Sequence, residues 1–322
     1  MTDDAEAPRR TSGGASAGLS PAAEARMAEI LRSGTWGSAL TSDEFTAIRS
    51  VGFEPVGQVL GAAVYNIGYT GGYGCPGAWA GYGPFAPYQS VTQTSSGGAG
   101  GVGSFGPLVR AMYEARHAAI GRMSEECAEL GGHGVVGVRL TIGHFPAGGL
   151  EFKAIGTAVR APGGPRLRRP FTSDLSGQDF AKLIMKGWVP AGLVFGISVA
   201  ARHDDWLTVG QARWSAGNTE VVGYTELVNE GRHDARIEVE RDVRRLGAEG
   251  VVINNMDLRV SERECPLQEG RRDHIVETTI IGTAIARFSS AAQPPGKPSL
   301  AVLSLDPQRR QVARVRLGVP GE

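Results

Sequence analysis

The chain has 322 residues, a net charge of zero and 41% apolar side chains. This length fits two domains of about 100 to 150 residues each, with enough apolar side chains for packed cores. A zero net charge argues against a broad nucleic-acid-binding surface, which needs a basic excess. The longest apolar run, residues 191–201, is too short to span a bilayer. We therefore expect a soluble cytoplasmic protein without nucleic-acid or membrane partners.

The first part of the chain predicts a helix, a strand, a long helix and two strands. Residues 1–40 are rich in Ala, Gly, Ser and charge, which predicts a disordered segment that ends in a short helix. Thr41 and Glu44 form a capping-box pattern at the start of the next short helix. An apolar run at 56–67 predicts a buried strand, and the Gly- and aromatic-rich insertion 68–106 predicts a flexible loop. A long helix and two strands follow.

The second part of the chain repeats this pattern without a gap inside the matched segments. The matched segments are FTAIRSVGFEPVGQVLG (45–61) with FAKLIMKGWVPAGLVFG (180–196), ARHAAIGRMSEECAELGGHGVV (115–136) with GRHDARIEVERDVRRLGAEGVV (231–252), and AIGTAV (154–159) with IIGTAI (280–285). Because their order and approximate spacing are kept, the sequence predicts a tandem duplication of one domain.

The fold class predicted for each copy is an α+β sandwich with the order β-α-β-β. It consists of a three-stranded antiparallel sheet and one long helix. We place copy 1 at 41–160, a linker at 161–175, copy 2 at 176–288 and a tail at 289–322. One helix covers only one face of a sheet, so the other face needs the second copy or another subunit. The pattern therefore predicts a homo-oligomer.

The residues that follow each long helix resemble a known family. Segments 125–138 and 155–159, with their counterparts 241–253 and 281–285, are similar to the YbjQ-like family of heavy-metal-binding domains. The resemblance implies a small β-α-β-β unit, and pentameric rings occur in that family. The family label also implies a metal ion, for which the residues of this chain have to supply ligands.

Cys127 and His133 are candidate ligands for a soft metal, because a thiolate and an imidazole are the donors that such ions prefer. The counterpart of Cys127 in the second copy is Val243, on the core stripe of the helix. This match favours a packing role for Cys127, since free cysteines commonly behave as small buried apolar residues.

Other metal ligands are conceivable in the second insertion, 202–220. Asp204 and Asp205 could bind a hard cation there, although a polar loop with aromatic anchors fits the same residues. Cys75 and Cys265 have no neighbouring ligand at a known spacing, and no CxxC motif occurs. We expect no cofactor other than a metal ion.

An Arg-His pair occurs at the same place in both long helices, off the core stripe. Arg116 and His117 in the first helix, and Arg232 and His233 in the second, could bind an anion or line a subunit interface. The alternative is a solvated helix face whose similarity survives from the duplication. The insertion 68–106 and the tail could bind a protein partner.

The sequence contains no recognisable motif for a catalytic nucleophile, an acid–base pair or a nucleotide-binding loop. The motif Gly98-x-Gly100-x-x-Gly103 lacks the preceding strand and the acidic residue of a dinucleotide fingerprint. The sequence thus favours a non-catalytic oligomeric binding or scaffold protein with an unknown ligand. A heavy-metal-binding protein and an enzyme with an unrecognised site are the alternatives.

Overall fold

The computed structural model describes residues 19–35, 37–66, 92–96, 105–146, 149–164, 167, 169–214, 217–265, 270 and 272–288. All of them belong to the first of two compact units, Met1–Phe288. Cys75, most of the insertion 68–106 and the tail 289–322 lie outside the described residues.

Six helices and eight strands form a mixed α+β structure within the described residues. The helices are α1 (Pro21–Ser33), α2 (Ser42–Ser50), α3 (Gly106–Glu129), α4 (Gly177–Met185), α5 (Trp206–Ala212) and α6 (Val222–Arg245). The strands are β1 (Glu54–Asn66), β2 (Gln93–Ser96), β3 (Gly134–Phe145), β4 (Gly149–Arg160), β5 (Phe171–Thr172), β6 (Trp188–His203), β7 (Gly250–Glu264) and β8 (Arg272–Arg287). None of these helices combines the length and the apolarity that crossing a membrane requires.

Local sequence signals start the short helices as expected. The predicted capping box at α2 is present, because Thr41 accepts from the backbone of Glu44 and the Glu44 carboxylate accepts from Thr41. Ser176 caps α4 in the same way by accepting from the N–H of Asp179. These caps satisfy backbone groups that have no partner inside the helix.

The strands form two four-stranded sheets. The first has the order β1-β4-β3-β5 and the second the order β2-β6-β8-β7. The prediction of three-stranded antiparallel sheets is wrong in this respect, because each sheet gains a strand from outside its own β-α-β-β segment. In the first sheet β5 pairs with β3 in parallel, and in the second sheet β2 pairs with β6. Residues 93–96 of the insertion are therefore a strand and not a loop.

Each long helix crosses a strand at a glycine: α3 crosses β1, and α6 crosses β6. A Cβ atom on Gly61 of β1 would overlap the carbonyl oxygen of Ala119 in α3, and a Cβ on Gly196 of β6 would overlap that of Ala235 in α6. Only glycine allows the backbones to approach so closely. These two crossings fix how each helix lies on its sheet.

Helix α3 also covers the face of the second sheet that α6 leaves open. The side chains of Ile197 and Val199 in β6 pack with Val109 of α3, whereas Val194 on the opposite face packs with Val239 of α6. As a result, every residue of β6 from Gly192 to His203 is buried.

The segment that precedes α4 attaches to the edge of the first sheet. Phe171 and Thr172 lie beside Gly134 and Val135 of β3, and the N–H of Ser173 donates to the carbonyl of Val135 at 2.9 Å. We call the contacts of residues 171–185 with the first sheet and α2 the junction.

Candidate metal centre

The end of the second sheet brings together three side chains that can bind a metal ion. The register of the central strand β8 places His203 of β6 beside Asp273, and the register of β7 places Arg263 on its other side. Nδ1 of His203 lies 2.8 Å from one carboxylate oxygen of Asp273, and Arg263 bonds the other oxygen at 3.3 Å. Cys265 follows directly after β7. One donor atom from each of Cys265, His203 and Asp273 lies within 4.8 Å of the other two.

The donors of this cluster are shielded from water. Asp273 is fully buried, and His203 and Cys265 are only 4% and 6% exposed. A thiolate, an imidazole and a carboxylate together match the ligand preferences of Zn²⁺ and similar ions, which are held by three protein ligands where one position stays open. A thiol beside an imidazole can also act as a nucleophile, but a thiol so buried has little access to a substrate. The chemistry of the donor set therefore fits a metal ion.

A second polar group lies on the other side of β8. His274 approaches Asp204 at 3.0 Å and Glu262 at 3.6 Å, and the hydroxyl of Tyr224 donates to Asp204 at 3.2 Å. Burial, with the nearby Asp204 carboxylate, raises the pKa of the Tyr224 phenol above its usual range. The phenol thus stays protonated and serves as a donor that orients Asp204.

Asp204 and Asp205 have different surroundings although they are adjacent. Asp205 caps α5 by accepting from Thr208 at 2.7 Å and pairs with Arg202 at 3.2 Å. Asp204 belongs to the polar group just described. The expectation of a polar loop with aromatic anchors is wrong, because Trp206–Ala212 form helix α5 and both Trp206 and Trp214 are largely exposed.

Cys127 and His133 are not members of the described three-residue cluster. The Cys127 thiol is fully buried and donates to the carbonyl of Gly134 at 3.4 Å, and burial raises the pKa of this thiol to about 12. Nδ1 of His133 accepts from the N–H of Ala161 at 3.0 Å. Each side chain therefore has a structural partner, and their metal binding stays a prediction.

The two Arg-His pairs occupy different environments. Arg116 is buried, donates to the carbonyl of Met112 at 3.2 Å and lies over the ring of Phe152, and burial lowers the pKa of its guanidinium to about 10. His117 packs edge-on against Phe195 of β6 at 5.8 Å between ring centroids.

In the second half, Arg232 and His233 are both exposed. His117 is exposed as well, so burial distinguishes only Arg116 from its counterpart Arg232. Ligand or interface binding by these residues stays a prediction.

Sequence reasoning missed the cluster of His203, Cys265 and Asp273. Cys265 has no neighbouring ligand at a known spacing along the chain, and it is the strand register that brings His203 and Asp273 close to it. The usable signal was the hairpin of β7 and β8, whose register places residue 263 opposite 273.

Comparisons with known proteins relate the chain to two sets of relatives. A family described as "Putative heavy-metal-binding", YbjQ_1, matches residues 97–162. The encapsulin nanocompartment protein Rv1762c of Mycobacterium tuberculosis is 31% identical over 287 residues, which cover 85% of this chain and 94% of that protein. None of the solved structures matches significantly.

Two shorter relatives match smaller segments. A UPF0145 protein of Clostridium perfringens is 40% identical over 57 residues, which cover 18% of this chain and 54% of the relative. A UPF0145 protein of Vibrio campbellii is 49% identical over 49 residues, which cover 15% and 47%. None of the names of these relatives describes an enzymatic activity.

Proposed function

This chain belongs to the family of the encapsulin nanocompartment protein Rv1762c, and its residues 97–162 match the YbjQ-like family. On that premise we propose that it is a non-catalytic protein that self-assembles into an oligomeric binding or scaffold component. The observation that carries the proposal is the alignment with Rv1762c over 94% of that protein. The name of this relative extends the proposal to a component of a protein nanocompartment. The buried free thiol of Cys127 agrees with the cytoplasmic location that we propose.

The proposal includes a tandem pair of β-α-β-β units, which pairs of matched contacts support. The hydroxyl oxygen of Thr157 accepts from the N–H of Ala39 at 3.2 Å, and that of Thr283 accepts from the N–H of Asp174 at 3.0 Å. Irregularities in strand register recur at Pro55/Gly57 in β1 and at Pro190/Gly192 in β6. Matched residues making matched contacts are expected if one unit was duplicated.

Light scattering coupled to size-exclusion chromatography tests the self-assembly. We expect the purified full-length chain at micromolar concentration to elute as a multiple of the 33.8 kDa chain. Negative-stain electron microscopy then distinguishes a closed compartment from a small ring. A monomer under these conditions would refute the proposal. It would leave a protein in which each half covers the apolar sheet face of the other.

As a second function we propose metal binding at His203, Cys265 and Asp273. The carrying observation is the convergence of three buried ligand types of the kind that Zn²⁺ accepts. This site lies outside residues 97–162, the segment that matches the heavy-metal-binding family. The proposal therefore rests on the geometry of the second half.

Metal analysis of the protein loaded with Zn²⁺ and desalted tests this site. We expect about one bound ion per chain and a higher melting temperature, because a ligand that binds only the folded state stabilises it. Cys265→Ser should abolish both effects. The matched control is Cys127→Val, which copies the counterpart Val243 and should keep the metal at a stability cost below about 1.5 kcal/mol. Loss of the metal in the control alone would place the site at Cys127 instead.

A further inference from the structure

The junction within the chain has two sides that we name by their roles in docking. The donor side is the segment 171–185, and the acceptor side is the surface on which it lies. On the donor side, Phe180 of α4 packs against Phe53 at 5.1 Å between ring centroids, in an apolar cluster with Val136 and Val159 of the first sheet. The N–H of Gly177, at the start of α4, donates to the carboxylate of Glu44 in α2 at 3.2 Å. The acceptor side is the β3 edge of the first sheet together with α2.

The first half carries the same donor segment, and this copy is more exposed. Five residues of the donor segment are buried, whereas their counterparts 135 positions earlier are half-buried or exposed. The pairs are Thr172 with Gly37, Ser173 with Ser38, Leu175 with Leu40, Gly177 with Ser42, and Phe180 with Phe45. Both helices have the same cap and similar apolar residues, so the difference comes from what lies against them.

The second half carries the same acceptor surface, which is also more exposed. Gly134 and Val135 of β3 pair with the donor segment, and the side chains of Val136 and Val159 pack under it; all four residues are buried. Their counterparts Gly250, Val251, Val252 and Ile285 are each only half-buried. Strand β7 is an edge of its sheet among the described residues, whereas the matching strand β3 pairs with β5.

Unpaired edges of a sheet offer a row of backbone donors and acceptors that can add another strand. Inside the chain, one donor segment covers one acceptor surface. Among the described residues, the second donor segment and the second acceptor surface are left open, so they form two complementary ends. The ends differ from each other, so they fit a head-to-tail contact between identical chains and not a two-fold one.

We propose that a second copy of this chain docks head to tail through these ends. Helix α2 and the residues before it in one chain lie on the β7 edge of the next, repeating the contacts that α4 makes with the β3 edge inside the chain. This inference rests on the proposed self-assembly and specifies its interface. Repetition of one such contact generates a ring if the rotation closes and a filament if it does not.

Two charged substitutions test the interface from its two sides. Phe45→Glu blocks the donor end and Val252→Glu blocks the acceptor end, and each variant alone should be monomeric by light scattering. A one-to-one mixture should form a dimer that cannot grow, because each variant keeps the end that the other has lost. Circular dichroism and melting temperature confirm that both variants are folded. If folded variants assemble like the wild type, or if the mixture stays monomeric, the head-to-tail interface is wrong.

A cysteine pair tests the same interface without disturbing the apolar surface. The contact between Glu44 and Gly177 inside the chain corresponds to a contact between Asp179 of one chain and Ser42 of the next. Both positions are exposed in the single chain. We expect Ser42→Cys with Asp179→Cys to give multimers joined by disulfides on a non-reducing gel.

Two kinds of control should not form the multimers. They are each single cysteine variant, and Asp179→Cys combined with Glu29→Cys on the exposed face of α1. The outcomes separate the two proposals. A monomeric wild-type protein would overturn both the self-assembly and this interface. An oligomer that forms no disulfide-joined multimers and survives both charged substitutions would overturn the interface and leave the self-assembly in place.

Discussion

The two halves of this chain share their internal contacts and differ in their surroundings. In both, a long helix crosses a strand at a glycine, and a buried threonine anchors the segment before the short helix. Arg116 is nevertheless buried and its counterpart Arg232 exposed, and Val159 is buried while Ile285 is only half-buried. The comparison teaches that residues within a unit fix its internal packing, whereas the neighbour of the unit fixes which of its surfaces are covered.

The largest expected effect tests the contact that both halves share, in which a long helix crosses a strand at a glycine. Gly61→Ala and Gly196→Ala should each destabilise the protein by about 3 kcal/mol or more, because the new Cβ would overlap helix backbone that cannot move independently. Gly121→Ala, in α3 with open space around it, should instead stabilise by up to about 1 kcal/mol. Urea denaturation measures all three. Two similar losses would support matched packing, and a tolerated substitution in either half would contradict it.

The next largest effect is a difference in stability loss between two matched phenylalanines, one in each half. Phe180→Ala should cost about 3–5 kcal/mol, because it empties a fully buried site at the junction. Phe45→Ala, at the half-buried counterpart, should cost only about 1 kcal/mol in the isolated chain. Thermal unfolding at low protein concentration, where chains are apart, gives the difference. Equal costs would mean that Phe45 is already packed within its own chain.

A smaller effect should be common to both halves. Thr157→Val and Thr283→Val keep the shape of the side chain but remove the oxygen that accepts the N–H of Ala39 or Asp174. Each should cost about 1–3 kcal/mol, the penalty for leaving a partly buried N–H donor without a partner. Guanidinium denaturation measures the loss, with Thr→Ser at each position as a control that restores the oxygen. Failure of Thr→Ser to recover stability would point to packing instead.

The smallest effect concerns Asp174, whose counterpart Ala39 cannot titrate. Burial raises the pKa of the Asp174 carboxyl above its ordinary value, with a hydrogen bond from Thr283 opposing the rise. The folded state therefore holds this proton more tightly than the unfolded state, so its contribution to stability is present at low pH and lost as pH rises through the raised value.

Asp174→Asn removes this titration. The variant should gain stability relative to the wild type at pH 7. The gain should shrink as pH falls through the raised folded-state pKa of Asp174 and be lost once pH is below the ordinary aspartate pKa of about 3.9. Chemical denaturation of both proteins across this range gives the difference directly. A gain that does not change with pH would show that the charge of Asp174 does not matter.

Sequence patterns alone predicted the elements of both halves well, because caps, glycines and apolar periodicity act within a few residues of each other. The capping box at Thr41 and Glu44 and the start of α3 next to Pro107 are examples. The same patterns did not predict β2 and β5, since these short strands carry little sequence signal and exist because an edge of another sheet pairs with them.

By itself, then, the sequence determined the two repeated sets of elements, the families to which the chain is related and the residue types available for chemistry. Only the tertiary structure decided that Cys265, His203 and Asp273 converge, because antiparallel register joins residues that lie far apart along the chain. It also decided that Arg116 is buried and Arg232 is not. Both arginines lie in a Glu-x-Arg-His segment, and burial depends on which surface the rest of the chain brings against it.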